Sequence, residues 1–216
     1  MAAFFASTIL SVVILRFLPV WFTPLMFIRC YEQVKEGREV RLTHYWRSLD
    51  HIAPAMPLAV MGSEDANFQD HHGFDFKAIQ HAAKRNREHP EKRTLGASTI
   101  SQQTAKNVFL WPGRSWLRKG LEVYFTALIE LLWSKERIME VYLNSIETGE
   151  GLYGVEAVAR EHFLVSADKL TREQCALIAA TLPNPRRFSS KNPSDYMLKR
   201  QQRILKEMKF VKPFER

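Results

Sequence analysis

Cysteine is nearly absent from the 216 residues: Cys30 and Cys175 are too few and too far apart for a disulfide scaffold. Nine glycines and ten prolines, with no low-complexity tract, exclude a collagen-like rod and a disordered chain. No period of solenoid length recurs, and no cluster of His, Cys and carboxylates has structural-metal spacing. Acids are scarce in one window. From Lys77 to Lys119 ten basic residues face only Glu88 and Glu91, so the whole formal charge of +8 arises there. What remains is a basic globular domain with 46% hydrophobic residues for its core. Its one-signed segment is either a solvated face kept for solubility or an attractor of anions: nucleic acid, an anionic bilayer or a phosphorylated substrate.

Residues 2 to 28 hold a single charge, Arg16, in an otherwise apolar run. The pattern predicts a transmembrane helix through Leu18, with Arg16 snorkelling to the interface, Pro19 ending the helix, and Trp21 and Phe22 in the headgroup layer. Bulky residues after Arg16 leave no small-residue cleavage site, so the segment reads as an uncleaved anchor. No basic residue precedes it to set its orientation, and a buried core helix is the competing reading. The expected division is 1–28 for the anchor and membrane junction and 29–216 for the following domain.

The rest reads as helix after helix, a mainly α class with at most a small hairpin. Helices are expected over Ala55 to Phe68, over Asp75 to His89 with Phe76, Ile79, Ala82 and Ala83 inward, and from a Ser98 cap to Leu110. Further helices follow over Arg114 to Trp133, Lys135 to Asn144 and Val155 to Phe163. Another starts at a Thr171/Gln174 capping box, and a final one with Met197, Gln201, Ile204, Leu205 and Met208 on one side follows Ser194. His89 to Ala97 reads as a mobile connector and Gly149 to Gly154 as a flexible bend.

Three groups could carry chemistry. Glu64, Phe68 and His71 have the spacing of one helical face, which places a carboxylate beside a ring and an imidazole, as in a general base or in an ordinary core. Glu122 lies in a run of apolar neighbours and needs partners, which Arg118 and Lys119 supply at helical spacing. It either braces the fold or orders cations around a polar substrate. Thr99, Gln103 and Lys106 share a face in the polar helix start Gly96 to Asn107, a receptor for phosphate or sugar hydroxyls.

Five ordered segments then carry a resemblance: EDANFQDHHG from Glu64, GASTISQQTAKN from Gly96, RKGLEVYFTALIE from Arg118, IMEVYLNSIETGEGLYGVEAVA from Ile138 and LPNPRRFSSKNP from Leu182. The chain resembles the peptidoglycan glycosyltransferases, and among them the monofunctional, membrane-anchored kind. Thr126, where alanine is common, and SIETGEG are departures. The resemblance implies a lysozyme-like domain on the periplasmic face of the inner membrane, anchored by a single pass. It would polymerise lipid II onto a growing lipid-linked glycan chain with inversion and release undecaprenyl pyrophosphate. Glu64 would be the general base, ionised when substrate is bound, and Glu122 the second essential acid. Lys106, Arg118 and Lys119 would meet the pyrophosphate. Ser98, Thr99, Gln102, Gln103, Asn107, Asp65, Phe68 and His71 would complete the substrate contacts. Trp46 to Met61 would form a partly membrane-embedded shoulder. A divalent cation, Mg or Mn, would suit the pyrophosphate, the cell-wall synthesis machinery is a candidate partner, and nucleic acid is not expected. Two rivals are a lytic muramidase and a membrane-tethered module that binds anionic polymers.

Overall fold

Hydroxyl and carboxylate side chains begin most of the helices. In the computed structural model, which describes residues 1–91, 94–113 and 115–215, such caps start seven of the helices α1 to α10 found among the described residues. The first helices are α1 (Ala2–Leu15) and α2 (Pro24–Lys35), the latter capped by Thr23, followed by α3 (Ala55–Glu64) and α4 (Phe76–Glu88), capped by Asp75. Then come α5 (Ile100–Phe109), α6 (Trp116–Leu132) and α7 (Lys135–Ser145), capped by Thr99, Ser115 and Ser134. Last are α8 (Val155–Phe163), α9 (Arg172–Thr181) and α10 (Asp195–Glu207), the latter two capped by Thr171 and Ser194. Each capping oxygen takes one of the N–H groups that a helix start leaves without an internal partner.

Among the described residues there are also three short strands, β1 (Thr43–His44), β2 (Glu147–Gly149) and β3 (Leu152–Tyr153), and two 3-10 turns, Leu49–His51 and Ala167–Lys169. β3 is central, antiparallel to β2 and parallel to β1. The Gly149 to Gly154 segment is therefore an ordered hairpin rather than a flexible bend. Its glycines allow close approach: at Gly154, φ +79°, an added Cβ would lie 2.7 Å from the Asn144 carbonyl oxygen, and at Gly151, φ +70°, 2.4 Å from that of Arg41.

The core runs through α3, α5, α7, α8 and α9, with Met56, Ile100, Ile138, Tyr142, Val158 and Ile178 fully buried. α10 lies across α3 and α9 on Met197, Ile204 and Met208, as its periodicity predicts. In α3, Met56, Ala59, Val60 and Met61 are fully buried. The apolar run expected as a membrane shoulder is thus interior packing, because both neighbouring helices α9 and α10 close over it. α4 departs the other way: only Ala82 is buried, while Phe76, Ile79 and Ala83 face outward.

The spanning helix is a correction. α1 ends at Leu15 rather than Leu18, giving 14 residues, about 21 Å of helix against about 30 Å of hydrocarbon. Among the described residues no helix is long and apolar enough to cross a membrane. Pro19 disfavours helical backbone at the preceding residue, so the last turn unwinds early. The freed carbonyls find donors in the domain, Arg137 donating to Leu15 O at 2.8 Å and to Leu18 O, while Trp133 Nε1 adds a second donor to Val12 O at 2.8 Å. One side of α1 is thereby fixed to α6, where Thr8 meets Tyr124 OH at 2.8 Å. Phe4, Phe5, Ile9, Leu10, Val13 and Ile14 remain exposed on it.

Candidate active site

Glu64 is the last residue of α3, and its side chain is 17% exposed. The negative end of a helix and a largely buried position both disfavour ionisation. Ser63 Oγ donates to Glu64 Oε1 at 2.9 Å and Gln103 Nε2 to Oε2 at 3.2 Å, while an Arg200 Nη lies 3.6 Å from Oε1. Burial raises the Glu64 pKa, and these two hydrogen bonds with the charges of Arg200 and Lys106 pull it back.

α5 carries the connection onward. Gln103 and Lys106 lie one turn apart on it, and both line a cleft of about 540 Å³ with Ser98, Asn107, Arg118, Lys119 and Glu122. Burial lowers the Lys106 pKa and the Glu122 carboxylate is the largest opposing influence, with Arg118 and Lys119 pushing it down and Glu64 up. Lys106 therefore feels both acids. Glu122 is 3% exposed on α6; Arg118 donates to its Oε2 at 2.6 Å and Lys119 to its Oε1. One buried carboxylate thus fixes two cations on the cleft wall, which answers its need for partners.

Glu64 lines a second cavity, about 240 Å³, with Asp65, Asn67, Asp75, Ser98 and Thr99. The two cavities meet at Ser98, whose side chain is exposed, and the Gln103 to Glu64 bond spans them. A base candidate on one side and a cation cluster on the other are what transfer of a sugar from a phosphate leaving group requires.

Other expected contacts are placed differently. The capping residue of α5 is Thr99, not Ser98; its hydroxyl donates to Gly73 O at 2.7 Å and accepts from Gln102 N at 3.2 Å, while Gln102 Oε1 accepts from Thr99 N. The Thr99 hydroxyl and Gln102 Oε1 are engaged in this reciprocal cap. Glu64, Phe68 and His71 do not share a helical face, because α3 stops at Glu64 and a turn follows. Asp65, 7% exposed, accepts from Ile100 N at 2.9 Å and pairs with His71 Nε2 at 2.9 Å, so it ties that turn to the start of α5. Phe68 is fully buried, beneath Lys135 Nζ at 4.5 Å from its ring centroid and stacked on Phe214 at 6.3 Å. It is out of a substrate's reach. Lys212 binds Asp70, and Gln69 donates to Pro213 O at 3.1 Å, so the C-terminal tail also holds this turn.

The basic window divides. Lys106, Arg118 and Lys119 reach the cleft, whereas Lys77, Lys84 and Arg87 are exposed on α4. Lys92, Arg93 and Arg114 lie outside the described residues, as does part of the expected mobile connector; its Leu95 is pinned to α4 by two hydrogen bonds with Asn86 at 2.8 and 3.0 Å. Glu122 presents no free carboxylate oxygen, and the described residues hold no group of three or more His, Cys, Asp or Glu suited to a metal. Glu147, the other carboxylate lining the cleft, lies 3.5 Å from Arg29 Nε, so the wall offers a divalent cation single carboxylates that already face cations rather than a ligand cluster.

Two neighbours of Glu64 escaped the sequence. Tyr142 is fully buried and donates to Gln103 Oε1 at 3.4 Å. Arg200 comes from α10, and a signal was present: it lies three residues after Met197 and four before Ile204, on the apolar side of an amphipathic helix.

A helical domain with a carboxylate, an amide and braced cations around a divided cleft belongs to the class of group-transfer enzymes acting on polar, anionic substrates. The family model described as transglycosylase matches residues 32–209. A Bacteroides thetaiotaomicron protein named biosynthetic peptidoglycan transglycosylase is 60% identical over 211 residues, covering 98% of this chain and 84% of its own. Proteins of the same name from Bdellovibrio bacteriovorus and Caulobacter vibrioides are 55% and 52% identical, covering 94% and 92% of this chain and 80% and 83% of theirs. The chain belongs to the transglycosylase family.

Proposed function

We propose that the chain is a peptidoglycan glycosyltransferase that polymerises lipid II into linear glycan strands, with residues 29–216 as a lysozyme-like catalytic domain. The observation that carries this reading is the electrostatic continuity along α5: Gln103 holds Glu64, and Lys106 sits among Arg118, Lys119 and the buried Glu122. The growing chain occupies the larger, cation-lined cavity with its pyrophosphate against Lys106, Arg118 and Lys119. The acceptor sugar enters the smaller one. Ionised Glu64 takes the proton of the acceptor 4-hydroxyl as that oxygen attacks the donor's anomeric carbon from the face opposite the pyrophosphate. The bond to the leaving oxygen breaks with inversion, and the cations meet the charge that develops there. Glu122 holds those cations in place and stays off the reaction path. Ser98 and Asn107 serve as substrate contacts at the cavity junction and the donor wall.

The exposed face of α1, continued by Phe17, Leu18, Trp21, Phe22 and Phe27, lies along the outer, periplasmic leaflet of the inner membrane, where a lipid-borne substrate is presented. This places residues 1–28 as the membrane contact. Purified protein is to be given lipid II and, separately, finished peptidoglycan. Polymer and free undecaprenyl pyrophosphate from the first are expected; fragments from the second alone would replace this reading with a lytic one.

A further inference from the structure

We propose that Arg200 and Ser63 form a directional relay that positions the Glu64 carboxylate and keeps it ready to receive a proton. This rests on the reading of Glu64 as general base. Arg200 Nη2 donates to Ser63 Oγ at 3.1 Å, and Ser63 Oγ donates to Glu64 Oε1 at 2.9 Å. Guanidinium has donors only, so the serine oxygen must accept from Arg200 and its single hydrogen is left for Glu64. The direction of the chain is fixed by chemistry.

On the other side, the Gln103 amide points its Nε2 at Oε2 because its Oε1 accepts from Tyr142 OH. Both Glu64 oxygens therefore receive donors, an arrangement that favours the carboxylate over the acid and restricts its rotation. Glu64 itself lines the smaller cavity. Among the described residues the titratable and charged groups around Glu64 include Asp65 from the following turn, Asp75 from the α4 cap on the same cavity, Lys106 from α5, Tyr142 from α7 and Arg200 from α10. Arg200 is the cation in direct reach, at 3.6 Å.

Its placement is firm. Met197 and Ile204, one turn to either side, are 1% and 2% exposed, and the guanidinium enters from the apolar face of α10 with its Nε buried and unpartnered. A cation is brought from a helix 136 positions downstream to the end of α3, where the helix terminus would otherwise repel a negative charge.

The test is kcat/KM for lipid II polymerisation against pH in wild type, Arg200→Met, Arg200→Lys and Ser63→Ala, each first matched by circular dichroism and thermal melting. Arg200→Met is expected to lose about tenfold at the acid end, with the loss shrinking toward alkaline pH. Ser63→Ala should change the profile in the same direction by less, and Arg200→Lys should recover part of the acid limb. A purely structural Arg200 would lower activity equally at all pH values, and that result, or an unchanged acid limb in Ser63→Ala, overturns the relay. Should Arg200→Met fail to fold, Ser63→Ala and Arg200→Lys decide the matter. Full activity of Glu64→Gln in the same assay would instead refute the general-base reading, so the two failures are distinguishable.

Discussion

Replacing Glu122 by Gln tests what a buried acid does among cations. The side chain is 4% exposed, Arg118 beside it 11% and Lys119 41%. Removing one partner of a buried pair costs about 3–5 kcal/mol because the other charge is stranded. The more exposed Lys119 is largely screened by water and contributes little, and the glutamine oxygen still accepts one bond. The expected loss is about 3 kcal/mol, mostly from Arg118. For a domain of this length that lowers the Tm by roughly 6–12 °C. Polymerisation should fall further than stability explains, by about 100-fold at a temperature where the variant is folded, since Lys106 loses the carboxylate that most favours its charge. The double variant Arg118→Met with Glu122→Leu separates the two effects. It strands no Arg118 charge, so melting should return near wild type, whereas turnover should stay low. Calorimetry and a lipid II polymerisation assay supply both readouts. An Glu122→Gln protein that melts within 1 °C of wild type, or a double variant with restored turnover, would refute the reasoning.

Other outcomes follow from the same geometry. Burial raises the Glu64 pKa in the folded protein, so the native state keeps a proton over a pH window in which the unfolded chain has already released it. Stability is lost as pH rises through this window and the penalty is complete above it. Glu64→Gln should therefore be more resistant to urea than wild type at pH 7 and equal to it below the unfolded value; a gain at acid pH alone would contradict the sign. Phe68→Ala should cost about 3–5 kcal/mol in urea denaturation, because it empties a fully buried site under Lys135 and Phe214. A reduced lipid II affinity with unchanged stability would return Phe68 to the substrate contacts. Gly154→Ala should cost about 2 kcal/mol or more by thermal melting, since φ is +79° and the Asn144 carbonyl fills the space. Wild-type melting would mean that the hairpin does not hold this turn in solution.

The helices were legible because their signals are local. The Thr171 capping box, Glu122 in the apolar run of α6 with Arg118 and Lys119 one turn away, and the spacing of Met197, Ile204 and Met208 all lie within a few residues of what they determine. Reading failed where a side chain's fate depends on distant packing. Thr99 and Gln102 look like ligands for a sugar, but the Thr99 hydroxyl and Gln102 Oε1 cap a helix. Phe68 and His71 have helical spacing beyond a helix that had already ended. The apolar run of α3 fits either lipid or core, and only the positions of α9 and α10 choose. α1 carries the hydrophobicity of a membrane segment, yet its unwinding near Pro19 and its bonds to Trp133 and Arg137 stop it short. Arg200 is the instructive omission: a cation on an apolar helix face signals a buried anionic partner, though not which one.

The central claim is that Glu64 removes the acceptor's proton while the cations on the cleft wall receive the leaving pyrophosphate. It is tested most directly by single-turnover transfer from a lipid-linked donor to an acceptor bearing a free 4-hydroxyl, with wild type and Glu64→Gln both saturated with donor. The account predicts that Glu64→Gln binds the donor as tightly as wild type and forms no new glycosidic bond. Bond formation at the wild-type rate by that variant would contradict it.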